Sequence, residues 1–179
     1  MGNRAIAMMA AERALDNVGV QETGNNRGKY IRKYQLICNP PAPEGSPWCA
    51  AFMVYRYVTA ASELGEDIPD SFPRSAWCPD FARWAKKEGL YIPQVSARED
   101  TSLVREGDIA LFYFKALGRI AHCGIVTEVL PLGVWTVEGN TSPEPEDVDL
   151  VERDGDGVYR KFRNWSELGK YGGFVRIDF

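Results

Sequence analysis

Ala121-His122-Cys123-Gly124-Ile125-Val126-Thr127-Glu128-Val129, then Leu130-Pro131-Leu132-Gly133, then Val134-Trp135-Thr136-Val137-Glu138-Gly139-Asn140 is the stretch that decides how this chain folds. Two runs rich in β-branched and aromatic residues flank a turn containing Pro and Gly, which is the pattern of an antiparallel hairpin. Strand patterns also occur near residues 108–114, 158–163 and 173–178. Upstream, apolar residues at helical spacing mark helices near 4–18, 48–63 and 78–89. Helices first and strands after predict an α+β fold, with N-terminal helices packed on an antiparallel β-sheet.

The hairpin carries His122, the only histidine of the chain. Histidine is the side chain whose ordinary pKa lies near neutrality, so any acid–base chemistry at that pH points to it. A thiol becomes a nucleophile when an imidazole takes its proton. Cys49 lies in Pro47-Trp48-Cys49-Ala50-Ala51-Phe52, where Pro47 suits a helix start. In a first helical turn, unpaired N–H groups and the helix dipole favour a thiolate. Cys49 and His122 are thus a candidate nucleophile and base, 73 positions apart.

Alternation along a strand puts Glu138 and Asn140 on one face, and either can orient the imidazole. His122 shares that face only if the hairpin loop is odd or a bulge compensates. In a five-residue loop Asn140 lies directly opposite His122, and in a three-residue loop Gly133 takes the left-handed turn position. The expected direct partner is Asn140, with Glu138 in support. Trp48, Trp77 and Trp135 are candidates to line a substrate groove.

Taken in order, Pro47-Trp48-Cys49-Ala50-Ala51-Phe52, Arg105-Glu106-Gly107-Asp108-Ile109-Ala110, His122-Cys123-Gly124-Ile125-Val126 and Glu138-Gly139-Asn140-Thr141 resemble the CHAP family of cysteine amidases and peptidases. That family is related to NlpC/P60 and has a papain-like core. Gly19-Val20-Gln21-Glu22 with Asn25-Asn26-Arg27-Gly28, and Gly157-Val158-Tyr159-Arg160-Lys161 with Gly173-Phe174-Val175-Arg176, extend the resemblance toward phage-type members. The resemblance implies a cell-wall hydrolase of endolysin type, with Cys49 as nucleophile, His122 as base and then acid, and Glu138 and Asn140 holding the ring. It implies bacterial peptidoglycan as substrate, cut at the N-acetylmuramoyl-L-alanine amide or within the stem or bridge peptide. Other readings are an antibacterial effector of the same chemistry, an acyl transferase, or a binding module with a dead site. Cys123 departs from the family, where an aliphatic residue is common, and is expected to point away from His122 and pack. The Asp-rich segment of calcium-binding members is missing, so activity is expected to survive chelation.

The 179 residues with 45% hydrophobic composition fit one catalytic domain, 1–179, acting as a monomer. A net charge of -4 and an isoelectric point near 5.2 give no basic footprint for nucleic acid or an anionic membrane. Near the amino terminus Glu12 and Arg13 interrupt the apolar run, so it reads as an amphipathic helix with Met8, Ala11, Leu15 and Val18 on one face rather than as a signal peptide. The protein is then made in the cytoplasm and meets the wall after lysis, with a holin or secretion machinery, and an immunity protein in the effector case, as partners.

The four cysteines are read as free thiols, with Cys38 and Cys78 the pair that could meet. With one histidine and no Cys-x-x-Cys motif, no metal and no other cofactor is expected. Asp154-Gly155-Asp156-Gly157 reads as a tight turn rather than a calcium loop. Asn140-Thr141-Ser142 matches a glycosylation acceptor only formally.

Overall fold

The computed structural model describes residues 4–143 and 155–179. The helices are α1 (Ala5–Leu15), α2 (Lys29–Leu36), α3 (Cys49–Leu64), α4 (Cys78–Lys87) and the short α5 (Gln94–Glu99). The strands are β1 (Tyr91–Pro93), β2 (Ile109–Phe114), β3 (Arg119–Leu130), β4 (Gly133–Thr141), β5 (Gly157–Asn164) and β6 (Gly173–Val175). They form one antiparallel sheet in the order β1-β6-β2-β3-β4-β5. The fold is thus α+β with helices on an antiparallel sheet. The missed α2, α5 and β1 are short, and the strand near 173–178 ends at Val175.

Helix α3 is the centre of the molecule. It begins after Pro47 and ends at Gly65, whose φ of 68° is the left-handed cap that glycine tolerates best. Cys49 to Val54, Arg56, Tyr57, Ala60 and Ala61 are all buried, so the helix is enclosed rather than striped. It packs against α1, α2, β3 and β4. The face of α1 that packs differs from the expected one: Ile6, Ala7, Ala10, Ala11 and Ala14 are buried, whereas Met8, Leu15 and Val18 are exposed. Alanine lets the two backbones approach closely, which the larger residues would prevent. A second, smaller core on Phe112, Val126, Val134, Trp165, Leu168 and Phe174 lies apart from the helix-side core.

Asp108 ties the chain's extremities to β2. Its carboxylate accepts from Arg4 Nη1 at 3.0 Å, Arg176 Nε at 3.2 Å and the Arg105 and Ile177 N–H groups. The block Arg105 to Ala110 is therefore architectural. Next to it, a side chain at Gly107 (φ 79°) would strike the backbone of Ala7.

In the β3–β4 hairpin Leu130 pairs with Gly133, leaving the even loop Pro131-Leu132. Glu128 pairs with Trp135 but Val126 pairs with Thr136, so Thr127 is an extra residue. This bulge compensates the even loop and returns His122 to the face of Glu138. Gly133 does not serve the turn; a Cβ there would collide with the β5 backbone at Arg163. A second irregularity sits where Phe112 pairs with His122 but Tyr113 with Ile120, making Ala121 the extra residue on β3.

Candidate active site

Cys49 is the first residue of α3, and its Sγ lies at the floor of a cleft of about 430 Å³ lined by the Asn39–Pro47 loop, Ser75 to Cys78, Arg119 and Ala121. Only 4% of Cys49 is exposed, so a substrate must reach it along this cleft. The helix start is fixed from β4: Asn140 Oδ1 accepts the Trp48 N–H at 2.8 Å. Asn140 Nδ2 donates to Asn26 Oδ1 at 3.0 Å and Gly155 O at 2.9 Å. Its φ of 57° is left-handed, a conformation asparagine tolerates better than most side chains. Gly139 beside it lets α3 dock, since a Cβ there would come within 2.7 Å of the Trp48 ring and 2.8 Å of Phe52 Cβ.

His122 is fully buried against Phe112, their ring centroids 5.6 Å apart. Its Nε2 lies 2.8 Å from Glu138 Oε2. Glu138 is held in turn by Arg163, with Nη2 2.6 Å from Oε2 and Nε 2.7 Å from Oε1, and by the Thr136 hydroxyl at 2.6 Å. This corrects the expected order of partners: Glu138 orients the ring directly, and Asn140 positions the helix that carries the thiol. Continued past Ile125–Val137, the register does set Asn140 opposite His122. The left-handed turn at Asn140 redirects its side chain toward Trp48.

The remaining ring nitrogen, Nδ1, is buried and closes no hydrogen bond of normal geometry. The His122 ring interacts with the Cys49 thiol by hydrogen bonding and by charge. Burial opposes the imidazolium, but interaction with Cys49 and Glu138 outweighs it and raises His122 to about 9. Burial likewise opposes the Glu138 carboxylate, yet Arg163 and His122 hold it well below the usual carboxylate range. The Cys49 thiol is pulled well below its ordinary range by thiol contacts from Cys123 and Cys78 and then by His122, against burial. The arrangement favours a thiolate beside an imidazolium.

Cys78 Sγ lies 3.6 Å from Cys49 Sγ and 3.8 Å from Cys123 Sγ. Two expectations change here. Cys78 meets Cys49 and Cys123 rather than Cys38, and Cys123 joins the sulfur cluster instead of pointing away from the site. His122 and Cys123 pair in continuous register with Phe112 and Leu111, and Cys123 packs into the helix-side core that also holds Cys49 and Cys78. All four cysteines are free thiols.

Of the three tryptophans, Trp77 is 47% exposed and lines the cleft. Trp48 is fully buried among Tyr34 and Phe52, its Nε1 donating to Glu22 at 3.2 Å. Trp135 packs edge-on against Phe162 and under the Arg160 guanidinium, away from the cleft. Both belong to packing. The chain matches no family model, no curated protein and no solved structure. The geometry of the site therefore carries the functional argument alone.

Arg163, Thr136, Cys78 and Arg119 are site residues that sequence reasoning did not find. Thr136 shares the Glu138 strand face and was the one accessible signal. Arg163 pairs across from Val134, and Tyr159 is the residue opposite Glu138, so strand pairing gives no hint of the ion pair. Of the two candidate turn and glycosylation motifs, Asp154 lies outside the described residues, and Asn140 is buried and engaged as above. Among the described residues no helix is long and apolar enough to cross a membrane.

Proposed function

We propose that this protein is a cysteine amidase or endopeptidase with a papain-like, CHAP-type fold, and that it hydrolyses an amide bond of bacterial peptidoglycan. The observation that carries this reading is the buried Cys49 at a helix start, in interaction with a His122 ring that the Glu138–Arg163 ion pair holds. The Cys49 thiolate attacks the amide carbonyl carbon, and helix-start N–H groups receive the developing oxyanion. The C–N bond breaks as His122 gives its proton to the departing amine. Water then attacks the thioester, loses a proton to His122, and frees the acyl product and the thiolate.

The cleft fits an extended peptide. Its walls are the Pro-rich loop 39–47 on one side and Trp77 on the other, and Arg119 offers a cation to a stem-peptide carboxylate. Delivery to the wall through lysis or secretion belongs to the same proposal.

The test is digestion of purified walls followed by mass spectrometry of the fragments. Hydrolysis yields a new amine and a new carboxylate at one bond, and transfer yields a new amide. Cys49→Ala and His122→Ala, each shown folded by circular dichroism, are expected to release no fragments. Near-normal digestion by either folded variant would overturn the mechanism.

A further inference from the structure

We propose that Cys49, Cys78 and Cys123 together form a binding site for one thiophilic divalent cation, of which zinc has the best-matched chemistry. The three sulfur atoms all lie within 4.8 Å of one another, with measured separations of 3.6 Å and 3.8 Å for two of the pairs. Tetrahedral zinc with Zn–S bonds of about 2.3 Å sets its sulfur ligands about 3.8 Å apart. The triangle already has nearly the required edge.

The fourth position of a tetrahedral ion is left to water from the cleft, since the ring nitrogens of His122 do not belong to this group of close donor atoms. His122 is instead engaged with Glu138 through Nε2 and interacts with the Cys49 thiol. Cys49 and Cys78 line the cleft, which gives an ion a route inward.

The ligands come from the start of α3, the start of α4 and β3, so a bound ion would cross-link three elements. Their separations of 29 and 45 residues explain why no compact motif betrays the site. Binding displaces the thiol protons of Cys78 and Cys123, Cys49 being a thiolate already, and no redox change is involved. A bound ion takes the Cys49 lone pair that hydrolysis needs, so the loaded and hydrolytic states exclude each other. That consequence rests on the proposed amidase activity; the site itself does not.

The test uses the reduced, chelator-treated protein and two probes, Co²⁺ and Zn²⁺. Cobalt is expected to bind one per chain with the near-ultraviolet thiolate charge-transfer absorption and intense visible bands of a tetrahedral sulfur site. Zinc should bleach these bands and protect Cys49 from alkylation in the wild-type protein. Cys49→Ser, Cys78→Ser and Cys123→Ser should each weaken binding by more than about tenfold. Cys38→Ser should leave the spectrum unchanged. Absence of the charge-transfer band in wild type, or a band that persists unaltered in both Cys78→Ser and Cys123→Ser, overturns the site. These readouts do not use wall digestion, so a protein that binds cobalt yet releases no fragments even in its metal-free, reduced form keeps the site and loses the amidase reading.

Discussion

Glu138 Oε2 lies 2.8 Å from His122 Nε2 although the β3–β4 register, extended beyond its Ile125–Val137 pair, brings Asn140 rather than Glu138 across from His122. The carboxylate reaches the ring diagonally because Arg163 and Thr136 draw it into place from the same strand face. Charge rather than proximity in the ladder therefore selects the partner. Glu138→Gln should lower kcat/KM by about 10–100-fold, the range found when a group that orients a reactive histidine is lost. It should also narrow the pH profile, because the imidazolium loses its anionic neighbour. A profile of unchanged width would contradict a direct role for Glu138.

The pH dependence of the wild-type protein has a definite shape. His122 is raised to about 9 and Cys49 lies well below its ordinary range, so the thiolate–imidazolium form spans neutrality. We expect kcat/KM to stay level through pH 7 to 8 and to fall as pH rises through about 9, where the ring loses its proton. A bell centred on the free-histidine value near 6.5 would contradict this.

Arg163 is 3% exposed and paired with a fully buried carboxylate. Removing one member of a buried ion pair costs about 3–5 kcal/mol, since the other charge is left uncompensated. Arg163→Met should show that loss at pH 7 by chemical denaturation. Because the folded pKa of Glu138 is depressed, its stabilisation is present above the unfolded value of about 4.3 and fades as pH falls toward the folded one. The gap between wild type and Arg163→Met should therefore shrink below about pH 4. A gap independent of pH would show that packing, not charge, sets it.

Asn140→Ala strands the buried Trp48 N–H, at a cost of about 1–3 kcal/mol, and places alanine at φ 57°. Asn140→Gly relieves the backbone but not the lost hydrogen bonds. Both should reduce kcat through a displaced helix start, with glycine the more stable of the two by thermal unfolding. Equal stability would mean that the left-handed conformation carries no strain.

Trp77→Ala is expected to raise KM with kcat little changed, since the ring lines the cleft and is not in contact with the reacting atoms. Trp48→Ala should instead destabilise the fold by about 3–5 kcal/mol, as for other buried aromatics. The reverse pattern in steady-state kinetics and denaturation would exchange their roles.

Long periodic segments were legible in the sequence, and short or irregular ones were not. Helix α3 and the strands that carry His122 and Glu138 follow from apolar spacing. The hairpin's parity also pointed correctly to a compensating bulge, which Thr127 supplies. The bulge could not be located, because one extra residue on a strand leaves no mark in the alternation of its neighbours. Asn140 was assigned to His122 because a strand register assumes extended backbone, and its left-handed φ breaks that assumption. Arg163 looks like Arg160 in sequence, yet one is buried on Glu138 and the other exposed on Glu128. Only the paired sheet distinguishes them.

The Glu138–Arg163 pair joins β4 to β5, so the charge that holds His122 in place is made 41 residues after the histidine itself. During synthesis a chain paused before Arg163 already contains Cys49, His122 and Glu138 but lacks the guanidinium that keeps the carboxylate ionised in a dry interior. Reactivity is then expected only once the sheet's far strand has joined. A purified fragment ending at residue 150 should accordingly alkylate at Cys49 at the rate of an ordinary thiol, while the full chain reacts as a thiolate.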